Sequence, residues 1–197
     1  MNNRLEIFSI IIILIFSILF GNTNDYNFNY FSPLRSDGRI CFRDCLSEII
    51  GYYGEFRSST KYGHLHAGID IKGDFCDPIY SIGDGEVIAI FRDFPNKTVY
   101  IRHFEHGVTF TSTYIHVEDI QVQIGDFVSK STVIGRIFNK YELHDSNFST
   151  PPHLHLEIRH NLTDKGEATF SSMSLNELNR YCVNPITFFQ KGTRGNE

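Results

Sequence analysis

Pro151-Pro152-His153-Leu154-His155-Leu156-Glu157-Ile158-Arg159 is the stretch on which the fold turns. From His153 onward polar and apolar residues alternate strictly, and a period of two marks a half-buried strand. Leu154, Leu156 and Ile158 then face a core, while His153, His155, Glu157 and Arg159 share the other face. Pro151 and Pro152 fit the entry to such a strand, where no ladder hydrogen bond is lost. Imidazoles at i and i+2 on one strand face can both approach a single metal ion, or one can bind while the other stands beside it. Alone, the segment also reads as a surface strand that happens to carry two histidines.

Far upstream, His66-Ala67-Gly68-Ile69-Asp70 changes that balance. On a straight strand His66 and Asp70 would share a face yet lie roughly 13 Å apart, at about 3.3 Å per residue. Convergence on one ion requires a bend, and Gly68 makes a bend easy. Together the two segments supply two imidazoles and a carboxylate, with a further imidazole beside them. That is the donor inventory of a catalytic zinc site, in which three protein ligands leave a fourth position open.

The surrounding sequence favours β structure. Val87–Phe91, Val99–His103, Val108–Tyr114, Val133–Ile137 and Leu154–Ile158 read as strands bounded by Gly, Pro, Asp or Asn, and Glu105-His106-Gly107 reads as a hairpin turn. Helices are expected only near Cys41–Ile50, stopped by Gly51 and Gly54, and over Ser174–Tyr181. Short strands with few crossovers imply a mainly β fold, an antiparallel sheet with the metal in an open groove on one face.

Gly63-His64-Leu65-His66-Ala67-Gly68-Ile69-Asp70-Ile71, Tyr114-Ile115-His116 and Pro152-His153-Leu154-His155-Leu156-Glu157-Ile158-Arg159, in that order, resemble the lysostaphin or LytM type of zinc peptidase, peptidase family M23. Ser81–Val87, Ile124–Val128, Ile134-Gly135 and Val183-Asn184-Pro185 extend the resemblance from about Ile49 to about Phe189. It implies an antiparallel β domain with an open groove, one zinc ion and a peptidoglycan peptide as substrate. His66, Asp70 and His155 match the family's metal ligands, and His116 and His153 match its two catalytic histidines. Ser131 replaces a usual glycine, and the segment from Asn139 to Thr150 is longer than the family's short link. Both departures bear on how a substrate is gripped, and neither removes a ligand.

Met1-Asn2-Asn3-Arg4 precedes an apolar run from Ile7 to Phe20 that is shorter than the roughly 18 residues of a membrane span and suits a signal peptide cleaved after Gly21. An uncleaved anchor is the alternative, and only it would tie the chain to a membrane. Either way the domain is expected outside the cytoplasm, in the periplasm, envelope or medium. The expected division is thus 1–21 signal, 22–48 N-terminal extension, 49–189 peptidase domain and 190–197 tail. Loss of residues 1–21 removes Arg4 and Glu6, so the net charge stays at −5. Such a chain, without Lys/Arg runs, lacks the electrostatic footprint of a nucleic-acid binder.

Four cysteines, Cys41, Cys45, Cys76 and Cys182, in an exported chain point to disulfides, with Cys41–Cys45 and Cys76–Cys182 as one pairing. His64 is expected to line the groove and His103, His106, His144 and His160 to lie on the surface. Phe31, Tyr52, Tyr53 and Phe56 are expected in the core rather than in a sugar-stacking platform. The sequons at Asn96, Asn147 and Asn161 are coincidental in a bacterial wall enzyme. The alternatives to a wall endopeptidase are a non-catalytic regulator of other wall hydrolases and a zinc hydrolase with another substrate.

Overall fold

The computed structural model describes residues 30–34, 46–58, 63–93, 96–105, 107–142, 151–160 and 170–191. In chain order the strands are β1 (Ile49–Gly51), β2 (Phe56–Arg57), β3 (His64–Leu65), β4 (Ile69–Lys72), β5 (Pro78–Tyr80), β6 (Gly85–Phe91) and β7 (Thr98–Glu105). There follow β8 (Val108–Ile115), β9 (Val117–Glu118), β10 (Phe127–Val128), β11 (Val133–Ile137), β12 (His153–Arg159), helix α1 (Leu175–Tyr181), β13 (Cys182–Val183) and helix α2 (Pro185–Lys191). One eight-stranded sheet runs β1-β4-β12-β8-β7-β6-β10, with β13 on the end of β12. A three-stranded sheet, β5-β11-β9, and the β2–β3 pair complete it, and the pairings are antiparallel. The fold is therefore mostly antiparallel β with two short helices.

Core packing sets the register that later matters for chemistry. Ile71 pairs across from Leu154 and Ile69 from Leu156, all essentially inaccessible to water. Each such side chain stabilises the fold by about 1.5–3 kcal/mol on burial. A slip of β12 by one residue would turn Leu154 and Leu156 away from the core, so the register is strongly specified. That same register puts His155 opposite Asp70 and, through β8, opposite Ile115.

β12 is not half-buried, as its alternation implied, but buried along its whole length. It lies between β4 and β8, and α1 with Ala67, Phe170 and Cys182 forms a second small core. Its polar face survives burial because its side chains partner one another. α1 begins where expected: the Ser174 hydroxyl accepts from the Glu177 amide, and Leu178 is its buried residue.

Other expectations are corrected. Cys41–Cys45, with the first half of the helix expected over Cys41–Ile50, lies outside the described residues; in the rest of that span residues 46–48 form one 3₁₀ turn and Ile49–Gly51 is β1. The edge of β4 recruits that segment as a strand. Cys76 and Cys182 are free thiols, Cys76 exposed in a turn with φ 67° and Cys182 buried in β13, so the pairing between them is absent. His103 is buried, not exposed: its ring stacks on Phe110, with Nδ1 donating to the Asp84 carbonyl and Nε2 beside the Ser112 hydroxyl. Tyr52 and Phe56 are exposed, while Phe31 is half-buried beneath the Lys130 ammonium. Tyr30, from the expected extension, enters the main core against Phe110, Phe188 and Phe189. The apolar run from Ile7 to Phe20, His106 and His144 lie outside the described residues.

Candidate metal centre and its surroundings

The chain breaks between β3 and β4 at 66–68, and Gly68 is the bend. Its missing side chain serves close approach, because a Cβ there would overlap the Leu156 carbonyl oxygen of β12. The bend brings His66 over β4, and the β4–β12 register brings His155 to Asp70. His66 Nε2 lies 3.1 Å from Asp70 Oδ1 and 2.9 Å from His155 Nδ1, and His155 Nδ1 lies 3.3 Å from Asp70 Oδ1. All three side chains are buried.

The outer partners of these groups assign the protons. His66 Nδ1–H donates to the Tyr52 carbonyl at 2.9 Å, which leaves Nε2 with a lone pair. His155 Nε2–H donates to Glu157 Oε1 at 3.1 Å, which leaves Nδ1 with one. Asp70 Oδ1 is an acceptor already. With those protons turned outward three lone pairs converge, an arrangement that needs either a cation or a shared proton between them. A tetrahedral zinc with bonds of about 2.0–2.1 Å has ligand–ligand edges of about 3.3 Å, and the three separations come close to that. The donor set fits one zinc ion.

The electrostatics agree. Burial would raise the Asp70 carboxyl, but hydrogen bonds and charge from His155 and His66 outweigh it and hold it below the usual carboxylate range. Burial would lower the His155 imidazole, but Asp70 and Glu157 push it up to about 9. Without a metal, the cluster retains a proton where a cation belongs.

His153 and His116 stand beside the cluster rather than in it. His153 Nδ1–H donates to the Pro151 carbonyl at 2.8 Å, so its free Nε2 faces inward, 3.9 Å from Asp70 Oδ1. Burial, opposed by the Asp70 charge, lowers its pKa and favours the neutral base. His116 follows β8 with φ 68°, a conformation rare outside glycine. That kink sets its ring edge-on to His153 at 5.3 Å and to His155 at 6.3 Å. Phe138 and Phe75 form a wall on the His153 side. His64 sits next to this site in β3, and burial lowers its pKa.

Three residues join the site that the sequence reading did not assign to it. Glu157 and Arg159 form a buried ion pair behind His155, Arg159 Nε donating to Oε2 at 2.6 Å. Their place on the His155 face of the alternation was the available signal. Arg57 donates to Asp70 Oδ2 at 2.9 Å, and no spacing announces it, because the β2–β3 hairpin delivers it.

The model of peptidase family M23 matches residues 48–168, more than half of the chain. An uncharacterized metalloprotease of Buchnera aphidicola is 35% identical over 104 residues, covering 52% of this chain and 25% of that relative. The peptidoglycan DD-endopeptidase ShyA of Vibrio cholerae is 33% identical over 99 residues, covering 50% of this chain and 21% of that protein. The chain thus spans a quarter or less of the length of these curated relatives. The solved structure of lysostaphin from Staphylococcus simulans superposes with a TM-score of 0.52 at 20% identity over 75% of this chain and 52% of that one, a likeness of fold.

Proposed function

Because the chain belongs to peptidase family M23, we propose that it is a zinc metalloendopeptidase that hydrolyses peptide bonds of bacterial peptidoglycan. The observation that carries this reading is the convergence of His66 Nε2, Asp70 Oδ1 and His155 Nδ1 within 3.3 Å of one another, with the His153 lone pair turned toward them. Relatives named peptidoglycan DD-endopeptidases support the substrate class. The apolar run from Ile7 to Phe20 supports action outside the cytoplasm.

A zinc ion held by His66, Asp70 and His155 supplies Lewis acidity to a carbonyl and acidifies water. His153, neutral and with Nε2 free, accepts the proton from the attacking water and passes it to the leaving amine. His116 faces the same space from the end of β8 and donates N–H to the developing oxyanion. Phe138, backed by Phe75, lines the His153 side of this space.

Mass spectrometry of fragments released from purified peptidoglycan tests the proposal, with zinc content measured on the same samples. The wild-type chain is expected to hold one zinc and release fragments whose masses name the bond. His153→Ala should keep the zinc and lose about 10²–10⁴-fold in rate, whereas His155→Ala should lose both. Normal turnover by His153→Ala refutes the assignment of roles. Bound zinc with no fragments from several wall types refutes the substrate.

A further inference from the structure

Asp70 meets the metal centre with one oxygen and Arg57 with the other. Oδ1 faces His66 and His155, while Oδ2 accepts from Arg57 Nη2 at 2.9 Å. The same guanidinium nitrogen lies 3.3 Å from Glu55 Oε2 and 3.2 Å from His66 Nδ1. The contact with His66 is not a hydrogen bond when Nε2 carries the lone pair, since Nδ1 then holds the proton given to the Tyr52 carbonyl. The charge-assisted bond to Asp70 is therefore what this nitrogen does at the site.

The fold makes room for that bond. Gly51 stands opposite Asp70 in the β1–β4 register, and a Cβ at Gly51 would overlap both Arg57 Nη2 and Asp70 Oδ2. Gly51 is not among the glycines of positive φ, so the position needs space rather than an unusual backbone. Two elements just upstream of β4, β1 and the β2–β3 hairpin, thus converge on the outer oxygen of one ligand.

We infer that Arg57, in the space left by Gly51, is a positioning residue that holds Asp70 as a one-oxygen ligand and so keeps a coordination position open. The inference rests on the metal site proposed above. A carboxylate beside a divalent ion binds through one oxygen or through both. With Oδ2 engaged by a cation and the side chain fixed, the second oxygen is withheld. Released from Arg57, Asp70 turns and chelates, which fills the position that a catalytic centre reserves for water or substrate.

Cobalt(II) substitution reads coordination number directly, since the visible bands weaken as the number rises. The full chain, Arg57→Met and Gly51→Ala are loaded with Co(II) and their spectra compared. The wild type should take up one equivalent with intense bands. Both variants should take it up with bands weakened several-fold and with matching spectra, although only one of them removes a charge. The double variant should look no different from either single one, because both break the same contact. Arg57→Gln, closer in shape, serves if the Met variant fails to fold, and the same weakening is expected. A wild-type spectrum in folded, loaded Arg57 variants overturns the inference. A wild-type chain that takes up no cobalt overturns the metal site itself.

Discussion

Glu157→Gln separates the support of the metal centre from the ligands themselves. The Glu157 carboxylate is inaccessible to solvent and accepts at both ends: His155 Nε2 at 3.1 Å and the Phe170 amide at 3.3 Å reach Oε1, and Arg159 Nε at 2.6 Å reaches Oε2. Gln keeps the shape but has one acceptor end. If its oxygen faces Arg159, its NH₂ meets His155 Nε2–H and favours the tautomer with the proton on Nδ1, which cannot coordinate. If its oxygen faces His155, the NH₂ meets the guanidinium of Arg159, itself 1% exposed. Loss of an outer partner of a ligating histidine costs about 10–100-fold in metal affinity, or about 1.4–2.8 kcal/mol. The unpaired buried group costs about 1–3 kcal/mol more in fold stability, metal present or not. Competition with a chromophoric zinc chelator measures the first loss, and thermal unfolding of the metal-free chain measures the second. Wild-type zinc affinity together with wild-type stability in Glu157→Gln would refute the proton assignment made for His155, since either orientation of the amide leaves one of its two partners without an acceptor.

Two further outcomes follow from geometry. Gly68→Ala forces the Leu156 carbonyl away from the bend, so it should cost about 1–3 kcal/mol of stability and lower zinc affinity, as seen by thermal unfolding and the same chelator assay. His103, pushed down to about 4 by burial against the pull of the Asp84 carbonyl, is neutral when folded and takes up a proton when unfolded below pH 6.5. Its folded pKa is the lower one, so its contribution is complete above pH 6.5 and is lost as pH falls to about 4. The loss amounts to about 3 kcal/mol. Denaturant unfolding across that range should show a steeper decline for the wild type than for His103→Gln, and equal slopes would refute it.

The alternation in His153–Arg159 and the H-x-G-x-D segment made the β fold and the three side chains that converge legible, because strand period and donor chemistry are local properties of a sequence. The five strands appear where the sequence reading placed them, Val133–Ile137 with the same bounds and the other four longer by one to three residues. Local pattern misjudged what depends on neighbours. Ile49 and Ile50 became strand because the edge of β4 needed a partner, and His103 was buried because it lies on the face of β7 that packs on Phe110, while Arg102 and Phe104 on the other face are exposed. The sequence by itself determined which atoms are available to a metal. Tertiary structure decided how they are held: the β4–β12 register, fixed by Ile69 and Ile71 against Leu156 and Leu154, sets His155 on Asp70, and the β2–β3 hairpin carries Arg57 to the same carboxylate. Donor type is written in single residues, whereas orientation arises from packing between segments that the chain itself keeps far apart.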